Sequence, residues 1–541
     1  MRWWGWGRDE DAIELPAAAA ELLRGELGLD GDERGERVAL EDVTVGESRL
    51  DDARLRALTD VVGSDAVAAG RETRIGHAAG RGYPDLLRLR AGDAARAPDA
   101  VVLPSSEEQV AAVLRLCTAQ GIAVVPFGGG TSVVGGVEPE RGGHSAVIAL
   151  DLSRLAAVRD VDERSLTAVV DPGVFGPDLE RQLSQRGVTL GHFPQSFEYS
   201  TVGGWVATRS AGQASTGYGR IDELVEAVRC ATPVGDLATL DAPASAAGPS
   251  LRDLIVGSEG TLGVITSATL RVRPLPATRH YEAWSFETFD AGAEAFRAME
   301  QAGASPDVAR LSDEEETRLT MALGSRGGVA ERLGKTYLRM FGHERGCIAF
   351  TGFDGERDVV AARRGRAAEI LRAGGAVALG TRPGRSWLRN RYSAPYLRDE
   401  LMDRGVMVET LETATTWTNL RPLYDAVSAA LRASLTERGT PPAVMCHVSH
   451  LYPSGASLYF TFIARQETGA ELDQWRAAKR AACDAIAAIG GTITHHHAVG
   501  TDHREWMPAE VGELGIDVLR TVKERVDPAG IMNPGKLLPS A

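Results

Sequence analysis

Pro126-Phe-Gly-Gly-Gly-Thr-Ser-Val-Val-Gly-Gly-Val137 is the stretch on which the reading of the fold turns. It overlaps the apolar run Ile122-Ala-Val-Val-Pro126, which predicts a short buried strand. Consecutive glycines at Gly128, Gly129 and Gly130, followed by Thr131 and Ser132, let the backbone turn tightly and point its N–H groups at an anion. With the two hydroxyls as extra donors, such a nest suits a diphosphate. No Gly-Lys-Ser/Thr follows, so this is not a P-loop, and the Gly-x-Gly-x-x-Gly of a dinucleotide turn is absent. Taken alone, the glycines fit a plain tight loop equally well.

Outward from this loop, the chain alternates α and β. Pro98-Asp-Ala-Val-Val-Leu-Pro104 reads as a strand bounded by prolines. In Glu107 to Gln120, Val110, Val113, Leu114 and Cys117 recur at helical spacing behind the cap candidates Ser105 and Ser106. Strand, helix, the strand at Ile122 and the glycine nest together form a βαβ-like unit. Ala146–Asp151 and Thr167–Asp171 predict strands, and Leu179 and Leu183 sit at helical spacing in 176–187. From about Pro276 glycine-rich loops give way to alternating strands and helices, starting with Tyr281 to Ala304, and Ser312 to Lys335 reads as a solvated helical excursion. The expected division is an N-terminal helical, Trp-rich segment at 1–95, a ligand-binding α+β domain at 96–277, a cap at 278–485 and a motif-dense tail at 486–541 that packs back on the first domain.

A chain of 541 residues exceeds one hydrophobic core. The net charge of -15 offers no basic excess for a general nucleic-acid partner. Cys117, Cys230, Cys347, Cys446 and Cys483 show no Cys-x-x-Cys spacing and read as reduced, buried residues. No apolar run reaches the roughly 20 residues of a membrane span, and neither a secretory signal nor a Ser-Lys-Leu-type peroxisomal address is evident. The expected location is cytoplasmic or membrane-peripheral. Trp3, Trp4 and Trp6 in the first seven residues read as an anchor tucked into the fold, with a membrane-interface contact as the alternative.

Three further stretches carry chemistry. Phe193 to Gly212 and Gly257 to Thr266 are rich in Gly, Ser and Thr, the latter leading into the strand-like Ala268–Val272. Thr494-His-His-His-Ala-Val-Gly500 sets His495, His496 and His497 side by side. On a helix or strand, consecutive side chains point in different directions, so a regular element cannot aim all three at one metal. His447 and His450, read on a strand, face oppositely, and no Cys or carboxylate stands in ligand spacing. No metal site is expected. Histidine titrates near neutral pH, which favours acid–base work.

The three glycine-containing segments, in this order, resemble the FAD-binding domain of the vanillyl-alcohol oxidase type of flavoprotein. The second segment and the C-terminal stretches together resemble the alkyldihydroxyacetonephosphate synthase family, from Arg2-Trp-Trp-Gly-Trp-Gly7 to Asn533-Pro-Gly-Lys-Leu537. The resemblance implies an α+β chain: a PCMH-type, two-subdomain FAD-binding domain plus an α/β cap. It places the diphosphate on Pro126 and Gly128–Ser132, helped by the segment from Pro194. Ser200, Thr201, Val202, Gly203 and Gly204 would follow the ribityl chain and ring system, with Thr208 and Ser210 nearby. Glu259, Thr261 and Leu262 would meet the adenosine end, followed by Val264 and Ile265. Many relatives tether FAD through a histidine in the first loop. Here that loop has neither His nor Cys, so FAD is expected to be non-covalent, and His192 reads as a structural histidine.

The same resemblance puts His495, His496 and His497 at the active site, with Tyr459 on the strand-like Ser454–Phe462 and Arg310 near the flavin. A phenol can donate a proton or hold an oxyanion; a plain strand aromatic is the other reading of Tyr459. Arg398 would bind the substrate phosphate, where a planar guanidinium offers paired donors. Thr413-Ala-Thr-Thr-Trp417 parallels a substrate-pocket stretch, giving Thr415 and Trp417, although a proline of that stretch is replaced. The implied reaction is redox-neutral: acyl-dihydroxyacetone phosphate exchanges its acyl chain for a long-chain alcohol through an adduct at flavin N5, in ether-lipid synthesis. A homodimer is the expected assembly. The rival is an FAD-dependent oxidase or dehydrogenase of a 2-hydroxy acid such as D-lactate or glycolate. In that group the tail reads Gly-Glu-His-Gly-Ile-Gly, whereas this chain has His495 and His496 in the first two places. A non-catalytic flavin-holding protein at a membrane surface would have no need of the histidines, Tyr459 and the arginines together.

Overall fold

The computed structural model describes residues 1–29, 35, 37–324 and 329–539. It is an α+β chain. In the glycine-loop domain, Ala100–Val102, Ala146–Asp151 and Ile122–Phe127 run parallel, with Val67–Ala68 antiparallel at the edge. Every residue of Ala146–Asp151 is buried, as the apolar composition of a strand covered on both faces requires. Glu107–Gln120 forms the anticipated helix; Ser106 Oγ accepts the Gln109 N–H at 3.2 Å, and left-handed Gly121 ends it. The βαβ-like unit differs in one respect. Ala146–Asp151 inserts between the two strands that the helix connects, filling the space their crossover leaves.

A second sheet is antiparallel throughout, in the order Gly235–Ala238, Val225–Thr232, Val264–Arg271, Thr167–Val170, Val158–Asp162. Its core joins Leu179 and Leu183 to Trp205, Val228 and Leu270. The cap is a seven-stranded antiparallel sheet ordered Val377–Gly380, Thr278–Phe286, Cys347–Gly355, Val308–Ser312, Ala443–Tyr452, Gly455–Arg465, Val406–Thr416. Helices Phe289–Gln301, Leu420–Glu437 and Glu471–Ile489 cover one face, packing Phe296, Leu423, Leu431 and Ile486 with Phe460 and Phe462. Burial of each phenylalanine contributes about 1.5–3 kcal/mol. The opposite face carries the site.

The first 95 residues mostly borrow cores. Leu50, Leu58 and Val62 share that of the first sheet, Leu23 and Leu27 pack on the cap, and a small cluster of their own surrounds Val43, Ile75 and Leu89. The tryptophan-rich start is an internal anchor. Trp6 is buried and donates its backbone N–H to Asp399, while the Arg2, Arg37 and Arg90 guanidinium groups lie against the Trp4 ring. The run at 312–335 is not wholly solvated: helix Glu314–Gly324 turns Glu316 and Leu319 inward, because one face of it covers the cap sheet. Residues 325–328, within that run, lie outside the described residues. The tail returns to the first domain, where Asn533 donates its backbone N–H to the Val124 carbonyl and Met532 enters the core. No helix among the described residues is long and apolar enough to cross a membrane.

The glycine loop meets the second segment too closely for a side chain. A Cβ at Gly129 would stand 1.6 Å from the Tyr199 carbonyl oxygen, and one at Gly128 2.3 Å from Thr201 Oγ1. Gly129→Ala is expected to lower the melting temperature markedly, with a cost of more than about 3 kcal/mol from the backbone clash. Gly187→Ala, at φ 72° with open space around it, should cost only ~1–2 kcal/mol. Thermal unfolding of the two variants checks the contrast.

Candidate active site

Strand register assembles one wall. Glu412 pairs with Tyr459, and Tyr459 pairs with His447, so the three side chains stand abreast on the cap face away from the helices. His447 and Tyr459 stack with ring centroids 4.8 Å apart. Plain alternation would send His450 to the other face. A β-bulge between Val448 and Leu451 inserts one extra residue and returns His450 to the same face, correcting the expectation of opposed histidines.

The histidine loop, His495–His497, is irregular backbone facing this wall. A single carboxylate organises it. Glu412, with no exposed side-chain surface, accepts the backbone N–H groups of His495, His496 and His497, the last two at 3.0 and 2.5 Å, and the Thr494 hydroxyl at 2.9 Å. The rings then fan out. His496 and His497 lie 6.0 and 5.5 Å from the Tyr459 ring, and His495 stacks on His450 at 5.0 Å. His495 Nδ1 meets His496 Nδ1 at 2.9 Å, and its Nε2 meets the Tyr452 hydroxyl at 2.6 Å.

Burial sets the electrostatics. It pushes the imidazoles of His495, His496 and His497 down, His497 to about 3, so all three are neutral bases at pH 7. It raises the Tyr459 and Tyr452 phenols to about 12, keeping both protonated. Burial alone would raise Glu412 as well. The backbone donors, with His496 and His497 wherever those rings carry a proton, outweigh it and hold the carboxyl at about 2. Arg310 reaches the wall indirectly: its guanidinium donates to Glu316 at 2.7 Å, and Glu316 bonds His447 Nδ1 at 3.1 Å beneath Tyr459.

The glycine loop fits an anionic group. Among the described residues no protein acceptor takes the backbone N–H groups of Gly129, Gly130, Thr131 or Ser132. Ser132 Oγ accepts from Val134 and Gly136, leaving its own proton free to donate. Thr201 caps the helix Val202–Thr208, whose Gly203 packs on Pro172. Several predicted contacts have other partners. Ser200 accepts the Trp205 indole N–H at 2.7 Å, Thr208 donates to the Gly204 carbonyl, and Ser210 bonds His192 at 3.2 Å. Thr261 donates to the Ser258 carbonyl, and Leu262, Val264 and Ile265 are core residues. Glu259 departs most from its expected role at the adenosine end. Its buried carboxylate accepts the N–H groups of Val499 and Gly500 at 2.8 and 2.7 Å, fastening the tail, because the left-handed Glu259 backbone aims the side chain there.

Arg398 lies on the helix Ala394–Met402, donating Nη1 to the Arg81 carbonyl at 2.7 Å; its buried Nε and Nη2 have no hydrogen-bond acceptor, although Nη2 pairs with the Asp399 carboxylate at 3.7 Å. Free donors on a buried guanidinium suit an anionic ligand. Among the described residues no hydrogen bond or ion pair joins Arg398 to the histidines. Thr415 is a correction. Strand alternation puts it on the helix-facing side of the sheet, opposite to Glu412, and its hydroxyl accepts from Asn419. Trp417 braces the wall from its end, donating its indole N–H to the Tyr452 carbonyl at 3.0 Å.

Sequence reading missed Glu412, Glu316, Tyr452 and Arg220. No spacing signals them, since each lies far along the chain from the histidines. Arg220 places a positive charge beside His192, His450, His495 and His496. Glu412 brings to the histidines a carboxylate that sequence spacing does not reveal. His450–His495–His496 and Glu412–His496–His497 each bring ligand-type atoms within 4.8 Å of one another. Ser215 bonds His450 Nδ1, Tyr452 bonds His495 Nε2, and backbone donors occupy the Glu412 carboxylate.

Glu412 has a pKa below its unfolded value of about 4.3, so its stabilisation is present above that value and lost as pH falls toward about 2. Glu412→Gln, which keeps the shape and removes the charge, should lower the melting temperature at pH 7. The difference from wild type should shrink steadily as pH falls from about 5 to 3.

Residues 98–241 match the family described as FAD binding domain, and 275–537 match FAD linked oxidases, C-terminal domain. The alkyldihydroxyacetonephosphate synthase of Dictyostelium discoideum is 34% identical, over all of this chain and 94% of that protein. Its counterpart from Trypanosoma brucei brucei is 36% identical, over 89% of this chain and 80% of that one. A solved alkyldihydroxyacetonephosphate synthase superposes with a TM-score of 0.85 at 31% identity, covering 99% of this chain and 98% of its own. By these matches the chain is an FAD-dependent member of the alkyldihydroxyacetonephosphate synthase family.

Proposed function

We propose that the protein exchanges the acyl chain of acyl-dihydroxyacetone phosphate for a long-chain alcohol, with no net oxidation. The observation that carries this is the wall itself: three neutral histidines, pinned by Glu412, opposite the protonated phenol of Tyr459. The rival 2-hydroxy acid chemistry would place Glu and Gly where His496 and His495 stand. Bound FAD supplies a centre that is in turn electrophilic and nucleophilic, and Gly128–Ser132, free of His and Cys, holds it non-covalently. His496 and His497 take protons from substrate carbon or alcohol oxygen, and Tyr459 stabilises developing negative charge on the ketone oxygen. Arg398 offers the phosphate its Nε–H and Nη2–H, neither of which has a hydrogen-bond acceptor. Both substrates carry long chains, which favours work at the periphery of a membrane.

The reading is tested anaerobically with purified holoenzyme, acyl-dihydroxyacetone phosphate and labelled hexadecanol. Labelled alkyl product with the flavin ending oxidised supports it; bleaching by D-lactate or glycolate without ether product overturns it. His496→Ala and Tyr459→Phe should each reduce kcat by about 10²–10⁴-fold. Arg398→Lys should raise KM for the phosphate substrate about tenfold or more, with a smaller effect on kcat. Since burial lowers the histidine pKa values, the acid limb of kcat/KM should lie well below pH 6.5.

A further inference from the structure

Among the described residues, His495 is the one member of the histidine loop hydrogen-bonded through both ring nitrogens to other side chains: Nδ1 to His496 at 2.9 Å and Nε2 to the Tyr452 hydroxyl at 2.6 Å. An imidazole held at both ends can accept a proton on one nitrogen while releasing another from the opposite side. The three groups run outward in order. His496 faces Tyr459, His495 is buried, and Tyr452 is half-buried beside the exposed Pro453 and Ser454. The outer end is polar. The Arg220 charge stands beside Tyr452, and Arg220 Nε donates to Asp222 at 3.1 Å. Along its length the chain is flanked by His450, which stacks on His495, and by Glu412, which holds the backbone of both histidines. Trp417 fixes the Tyr452 backbone from behind.

We propose that Tyr452, His495 and His496 form a proton wire between the buried reaction centre and solvent, with Tyr452 as its outer terminus. It rests on the transferase reading above, because releasing a fatty acid and consuming an alcohol both require protons to cross a closed site. In the outward direction, a His496 protonated by substrate passes its Nδ1 proton to the lone pair on His495 Nδ1. His495 releases its Nε2 proton to the Tyr452 oxygen, and Tyr452 gives its original hydroxyl proton to water. One proton leaves, His495 ends as the other neutral tautomer, and Tyr452 ends as a neutral phenol. The reverse sequence delivers a proton inward and restores the first tautomer. His495 and Tyr452 begin and end the relay neutral, and the charge that enters at His496 leaves with the proton, which suits so desolvated a path.

The test is Tyr452→Phe in the FAD-loaded enzyme, with flavin content and melting temperature as checks on folding. With acyl-dihydroxyacetone phosphate and hexadecanol, kcat should fall at least about tenfold, KM should hold, and imidazole added to the buffer should restore part of the rate. The solvent deuterium isotope effect should rise. An active wild type and a variant with unchanged kcat and isotope effect would overturn the wire. A second readout needs no turnover: in 15N-histidine-labelled holoenzyme, both His495 nitrogens should show hydrogen-bonded shifts, and Nε2 should move in the variant. A free His495 Nε2 in the wild type, or no change in the variant, overturns it even if the enzyme makes no ether. Absence of alkyl product from the wild type, by contrast, overturns the transferase reading, and the nitrogen shifts alone then decide the wire.

Discussion

The site depends on one buried carboxylate that serves successive backbone N–H groups. A carboxylate stripped of water is costly unless each lone pair is met, and Glu412 meets that condition with His495, His496, His497 and the Thr494 hydroxyl. Three adjacent peptides converging on one anion force an irregular loop, and that irregularity lets adjacent histidines share one cavity. Because Glu412 stands beside Tyr459 in the sheet register, the same contact fixes the distance from histidines to phenol. Two residues past His497, Glu259 repeats the device from the other domain, taking the N–H groups of Val499 and Gly500. The tail is thus fastened at one end to the cap and at the other to the glycine-loop domain. Loss of either carboxylate would leave several buried donors unpaired at once.

Desolvation then determines what the cluster can do. Histidines in water would be partly charged at neutral pH; here burial and mutual proximity keep them neutral, while Arg220 adds a fixed positive charge that opposes their protonation. A base that starts neutral can accept a proton during reaction and must soon release it. Tyr459 stays a donor for the same reason: burial disfavours its phenolate. Arg310 and Glu316 balance each other next to His447, so the stacked support under Tyr459 is held by an ion pair that needs no solvent.

The unpaired donors lie on residues other than the histidine cluster. The glycine loop presents backbone donors, and Arg398 presents guanidinium donors from a helix locked by the N-terminus. That lock is built from Arg81, whose side chain holds the carbonyls of Arg2 and Gly5 and whose own carbonyl receives Arg398. Arg2 and Gly5, at the start of the chain, are therefore linked to a distant arginine through two hydrogen-bonded steps.

Local pattern was enough for much of this. The helix Glu107–Gln120, the strands at Ile122, Ala146 and Thr167, and the glycine loop follow from apolar periodicity, capping and backbone freedom, all short-range properties. The histidine run, Tyr459 and Arg310 could be named because motif and resemblance are written in consecutive residues. Tertiary structure alone decided the rest. The bulge that turns His450 inward depends on how two strands register, and alternation sends Thr415 to the helix side although its neighbours in sequence face the site. Glu412, Tyr452 and Arg220 come from segments separated by tens to hundreds of residues, and nothing in their own surroundings marks them. Sequence fixes which chemistry the chain can offer; sheet register and burial fix which of those groups meet, because both are set by packing between segments that do not adjoin in the chain.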